Sequence, residues 1–127
     1  MSQWDVLAMD VKIAIILNVR SHSRGHHFGR PFLTPYQIAI IFKRRFSHDF
    51  RTIGKQVGGR GIGSRDSLAQ YIAMNLSRRI KNRKILNIEG RYLNRAHLKT
   101  LKYDDQGQSI ESSSMTSYDL SIFRLCN

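Results

Sequence analysis

The chain has 127 residues, 41% of them hydrophobic, with one cysteine and a net charge of +12. The apolar share excludes a disordered basic tail, and the length suits one domain, residues 1–127, able to bury about two-thirds of its unfolded surface. The charge is concentrated: from Arg20 to Lys102 nineteen Lys and Arg face only Asp49, Asp66 and Glu89, a balance of +16, while the flanks come to −1 and −3.

Charge of one sign costs stability through self-repulsion, so its retention points to a polyanionic partner, with nucleic acid first. A basic surface kept only for solubility is the plainer alternative, and acidic residues serve solubility better. The longest apolar stretch, Val11 to Leu17, is broken by Lys12 and falls short of the roughly 20 residues that span a bilayer. Asp5 and Asp10 interrupt any N-terminal signal segment, and the lone Cys126 excludes an internal disulfide. The expectation is a cytoplasmic protein with no membrane contact, nucleoid-associated if its host is bacterial.

In chain order, Trp4 to Arg20 reads as a helix with apolar residues around much of its circumference, so residues 1–20 form a packing element. Ser21 to Pro31, with Gly25, Gly29 and three histidines, is a loop. A second helix opens at Thr34, with Pro35 at its first position and Gln37 at the capping-box spacing. Its buried stripe is Ile38, Ala39, Phe42 and Phe46. Lys43, Arg44 and Arg45 crowd its last turn. There the helix dipole favours cations by only about 0.3–1 kcal/mol each, too little to account for all three.

Ile53 to Arg65 carries five glycines interleaved with Lys55, Arg60 and Arg65. Such backbone can approach a ligand closely and turn N–H groups toward an anion, or serve simply as a linker. It is not a P-loop: Gly54 and Gly59 have the four-residue gap, but Arg60 and Gly61 follow where Lys and a hydroxyl are required. A dinucleotide fingerprint needs a preceding strand, and His48 to Thr52 after a helix supplies none.

The next helix, capped by Ser64 or Ser67 and running to about Asn82, buries Leu68, Ala69, Ile72, Ala73, Leu76 and Ile80 on one face. The opposite face presents Ser67, Gln70, Tyr71, Met74, Arg78 and Lys81, with no acid after Asp66. Gln and Arg bond base edges in pairs, while Ser and Tyr reach phosphates, so this is the candidate reading helix; the plainer alternative is a solvated face. Beyond it Lys84 to Glu89 alternates as a half-buried strand, and Asn94 to Thr100 reads as a short capped turn of helix. Leu101 to Ile110 reads as a hairpin with Gly107 at its tip, and Tyr118 to Leu125 as a final strand.

Three helices followed by strands with a hairpin make an α+β fold, and this arrangement resembles the winged helix-turn-helix superfamily. The resemblance covers roughly Phe32 to Leu125, together with the run SLAQYIAMNLSRRI, Ser67 to Ile80. It implies a three-helix core with a small antiparallel sheet, the third helix entering the major groove and a hairpin wing beside the backbone. The link from Phe46 to Ser64 exceeds the three- or four-residue turn of that motif unless His48 to Thr52 adds a helical turn. Asp104 and Asp105 at the wing tip repel phosphate, which makes Arg91, Arg95, Lys99 and Lys102 the better contacts.

Catalysis and metal binding find little support. A metal-dependent nuclease needs clustered acids, and those of the basic middle are scattered. His22, His26 and His27 have neither Cys nor acid nearby to complete a zinc set. The expectation is therefore a non-catalytic double-stranded DNA-binding protein without cofactor or metal, such as a small transcriptional regulator or a chromosome- or mobile-element-associated factor. Its contacts are expected from Arg44, Arg45, Lys55, Arg60, Arg65, Ser67, Gln70, Tyr71, Arg78, Lys81, Arg91 and Arg95. RNA binding, which the scarcity of exposed sheet aromatics disfavours, and docking to an acidic protein partner are the alternatives. A homodimer through Trp4, Met9 and Ile13, or through Tyr118, Ile122 and Phe123, would supply two reading helices; otherwise these residues complete the core.

Overall fold

The computed structural model describes residues 1–22, 27–59, 67–112 and 118–126. Its order is α1 (Gln3–Val6), α2 (Met9–Ile16), α3 (Pro35–Arg45), α4 (Ser47–Ile53), α5 (Leu68–Lys81), β1 (Ile88–Leu93), β2 (Lys102–Asp105), β3 (Gln108–Glu111) and β4 (Leu120–Leu125). The fold is α+β, helices first and antiparallel strands after, consistent with a winged-helix-like arrangement.

The N-terminal helix expected to run from Trp4 to Arg20 is broken in two. At 100° per residue a continuous helix sets Trp4 and Met9 about 140° apart, at opposite edges of any one buried face. Ala8 takes a left-handed conformation, φ 51°, and with that break both Trp4 and Met9 enter the core with Ile13 and Ile16. The left-handed residue costs about 1–2 kcal/mol, less than the burial of Trp4 returns. Trp4 also donates its indole N–H to Asp10. The helix stops at Ile16, not Arg20, and the Arg30 guanidinium then holds the Asn18 side chain and the Val19 carbonyl.

Helix α3 is central and touches α2, α4, α5, β2 and β4. Its start forms as expected: Thr34 accepts from the Gln37 N–H while the Gln37 side chain accepts from the Thr34 N–H. Ile38, Ala39 and Phe42 are fully buried. The long link to α5 does contain an extra helix, α4, which ends at Gly54. Half of the glycine-rich stretch then acts as a strap. The Gln56 and Val57 carbonyls accept the first free amides of α5, from Leu68 and Ala69, at 2.7 and 2.9 Å.

Helix α5 ends in a Schellman motif: Lys84 N–H reaches the Arg79 carbonyl and Arg83 N–H the Ile80 carbonyl, with Arg83 at φ 59°. This closing turn occupies the residues expected to start a strand, so β1 begins at Ile88 and not at Lys84. Asn94 to Thr100 forms no helix; the Asn94 side chain accepts the Ala96 N–H in a local turn. Strand β1 pairs antiparallel with β4, from Ile88 opposite Leu125 to Leu93 opposite Leu120. Phe123 gives both its N–H and its C=O to Leu33, so β4 is bonded along its other edge as well. β2 and β3 form a separate hairpin, not one continuous sheet with β1 and β4. Gln106 and Gly107, φ 53° and 88°, make the positive-φ two-residue turn expected at its tip.

The hairpin is fixed to α3 by Asp105, which is buried, 4% exposed, and does not face phosphate. One carboxylate oxygen takes Lys43 Nζ at 3.0 Å, and the other lies 3.7 Å from Arg44 without a hydrogen bond. Tyr103 stacks on Tyr36, ring centroids 5.2 Å apart. Of the residues expected at a dimer interface, Trp4, Met9, Ile13 and Phe123 are buried in the core, Ile122 is half-buried and Tyr118 is exposed. The apolar side chains that α1 and α2 leave exposed are Val6, Val11 and Ile15.

Two outcomes follow for stability. A Cβ on Gly59, φ 110°, would stand 2.8 Å from the Glu111 carbonyl, whereas Gly107 has nothing within 4 Å. Gly107→Ala is expected to cost about 1–2 kcal/mol of backbone strain, and Gly59→Ala more than that, in urea unfolding. Burial raises the pKa of Tyr103 above 10.0; Thr34 pulls it back only in part, no hydrogen bond of normal geometry reaching the hydroxyl. The folded state thus favours neutral Tyr103, a contribution complete below about pH 10 and lost as pH rises through the raised value. Wild-type stability should therefore fall more steeply than that of Tyr103→Phe between about pH 10 and 12, lysine titration being common to both.

Candidate nucleic-acid interface

The roll of α5 about its own axis decides what it shows. Leu68, Ile72 and Leu76 are fully buried, which turns Gln70, Met74, Ser77, Arg78 and Lys81 toward a groove of about 960 Å³. The other walls of the groove are Pro35 and Tyr36 at the start of α3, Tyr92 of β1, and Tyr118 to Ser121 entering β4. Arg78 and Lys81 are exposed and have no acidic partner among the described residues. Of the expected contacts the groove brings together Ser67, Gln70, Arg78 and Lys81.

Two residues of that face have other tasks. Ser67 is 5% exposed and its hydroxyl accepts the Gln70 N–H at 3.0 Å, so it caps the helix. Tyr71 lies outside the groove, edge-on to Trp4 at 5.6 Å, with Lys55 Nζ 5.9 Å from its ring centroid. Burial raises the pKa of its hydroxyl. Tyr71 sits near the margin of the polar face on a helical wheel, where a small change of roll moves a side chain from groove to core.

The remaining expected contacts lie around the groove or away from it. Arg44 is drawn toward Asp105, while Arg45 is exposed and has no ion pair among the described residues. Arg91 lies 3.3 Å from Glu89, whose carboxylate also holds Arg124. Arg95 is exposed, and its backbone N–H donates to Asp119 at 2.8 Å. Arg60 and Arg65, with Ser64, lie outside the described residues, as does His26. His22 and His27 are exposed, and among the described residues no three His, Cys, Asp or Glu side chains stand together as a metal set.

Two groups of side chains escape a reading of the sequence. Arg79 is adjacent to Arg78 yet has the opposite role. Its side chain is 12% exposed, lies 5.2 Å from the Trp4 ring centroid, donates to Asn75 at 2.6 Å and approaches Asp5 at 3.6 Å. Asn75 in turn donates to the Tyr71 carbonyl. Tyr92 and Tyr118, 75% and 71% exposed, are the exposed aromatics whose scarcity counted against RNA. Their only sequence signal is an aromatic residue beside Arg91 on a strand and another just ahead of the final strand.

No helix among the described residues is long and apolar enough to cross a membrane. Against protein-family models, curated proteins and solved structures the chain finds no match, so its own residues carry the argument.

Neighbouring arginines with opposite tasks are separable by experiment. Arg79→Met should lower stability by about 1–2 kcal/mol, through loss of the ring contact and the Asn75 hydrogen bond. Arg78→Met should stay within about 0.5 kcal/mol of wild type. Urea unfolding followed by Trp4 fluorescence measures both, and equal losses would contradict the division.

Proposed function

We propose that the protein is a non-catalytic nucleic-acid-binding protein that takes double-stranded DNA through the outer face of α5. One observation carries the reading: Arg78 and Lys81 line a groove with Gln70, and no described acid neutralises them. The acids that pair among the described residues do so elsewhere, Asp49 on Lys12, Asp105 on Lys43 and Arg44, Asp5 on Arg79, Glu89 on Arg91 and Arg124, and Glu111 on Lys102. Gln70 and Arg78 are side chains that bond base edges in pairs, while Arg45, Lys55 and Arg95 are donors for the flanking phosphates. Such a protein works in the cytoplasm or nucleoid as a transcriptional regulator or a chromosome- or mobile-element-associated factor. A homodimer would double the contact, with Val6, Val11 and Ile15 as the apolar residues left for it. A second reading, RNA, gains from the exposure of Tyr92 and Tyr118 beside the same groove, since unstacked bases pack on aromatic rings.

Salt decides the class of partner. If six or more cations meet phosphates, affinity should fall about 10³-fold or more between 50 and 200 mM salt. Lys81→Gln should reduce that dependence by about one unit of slope alike for all sequences, while Gln70→Ala should reduce discrimination between sequences. Affinity that stays flat across this range would exclude a nucleic-acid ligand and leave the acidic protein partner.

A further inference from the structure

The groove beside α5 holds chemistry that a duplex backbone does not require. Neutralising phosphates takes cations and small donors, and Arg78 and Lys81 supply them from the helix wall. The opposite wall carries two aromatic rings, Tyr92 and Tyr118, 75% and 71% exposed, and on the helix wall Met74 is 52% exposed. Scattered single apolar side chains on a surface need no explanation, but these three line one groove together with its cations. A ring wall facing a cationic wall complements a nucleotide out of its stack, which offers a π-face at one end and a phosphate at the other. About 960 Å³ lies at the upper end of the range for small-molecule sites, ample for an extruded nucleotide. Asp119 adds direction. Its carboxylate sits on the strand side of the groove, where it accepts the Arg95 N–H, and it repels a phosphate toward Arg78 and Lys81.

We propose that the groove between α5 and the β1–β4 pair holds an unpaired nucleotide of the bound nucleic acid, its base against Tyr92 and Tyr118 and its phosphate against Arg78 and Lys81. The proposal rests on the nucleic-acid reading above and narrows it to a ligand with at least one unpaired position, a bulge or an overhang. Gln70 is then placed to bond the edge of the extruded base.

Fluorescence anisotropy with two labelled hairpin DNAs matched in phosphate number, one fully paired and one with a single-nucleotide bulge, tests it. The bulged hairpin should bind more tightly by about 5- to 100-fold, the range base–aromatic stacking gives. A double variant, Tyr92→Ala with Tyr118→Ala, should remove most of that difference, and the corresponding Phe variants should keep it. Both rings are mostly exposed, so the variants keep the fold, and the urea midpoint verifies this. Equal affinity for the two hairpins, or a bulge preference that survives the double Ala variant, overturns the site and leaves the nucleic-acid reading standing. No binding to either hairpin at low salt overturns both.

Discussion

The packing of α5 against α3 sets the remainder of the molecule. Both helices contribute fully buried side chains to one cluster, Ile38 and Phe42 from α3 and Leu68, Ile72 and Leu76 from α5. A helix has only one angular freedom once its buried stripe is seated, so the identity of the groove residues is a consequence of core packing and not an independent choice. The cap on Ser67 and the strap carbonyls of Gln56 and Val57 fix where α5 begins, and the Schellman turn at Arg83 fixes where it ends. Pinned at both ends, α5 holds Gln70 and Arg78 at a constant separation of two turns.

A chain with +12 net charge must place its few acids where they count. Ion pairs at the surface contribute about 0–1 kcal/mol each and do not cancel the repulsion of so many cations. Their positions matter more than their number. Asp105 ties the hairpin to α3, Asp49 ties α4 to α2, and Glu89 with Arg124 ties β1 to β4, Arg124 also holding the Phe28 and Arg30 carbonyls. Each spans two elements, so each acts as a tertiary clamp. Asp119 is the acid that the groove retains, and a backbone amide engages its carboxylate.

What could be read from the sequence was local. The capping box at Thr34, the cap at Ser67 and the Gln106–Gly107 turn each depend on a few adjacent residues whose hydrogen bonds close within the same segment, and all three form. The break at Ala8 could not be read, because alanine carries no turn signal and the left-handed residue exists only to let Trp4 and Met9 share a core built by distant elements. Arg83 hides its closing turn for the same reason, standing where glycine is usual. On a wheel Tyr71 falls near the edge of the polar face, and Arg79 falls between the buried Leu68 and Ile72, where a cation needs a partner. Both places depend on Trp4, far away in the sequence, which meets Tyr71 in a T-shaped ring contact and the guanidinium of Arg79. Of the expected contacts on α5, Ser67, Gln70, Arg78 and Lys81 line the groove and Tyr71 does not.

Trp4 therefore has a part in the site although it never touches the groove. Its ring packs against Tyr71, which keeps that side chain out of the groove, and lies beside the Arg79 guanidinium on the apolar side of α5. The helix side of the groove carries two cations, Arg78 and Lys81, two amides, Gln70 and Asn82, the Ser77 hydroxyl and the exposed Met74 thioether, with the rings of Tyr92 and Tyr118 on the strand side. In the proposed reading the outlying cations, Arg45, Lys55 and Arg95 among them, attract any phosphate from beyond the groove. Attraction and discrimination then fall to different residues, and the core packing of α5 draws the line between them.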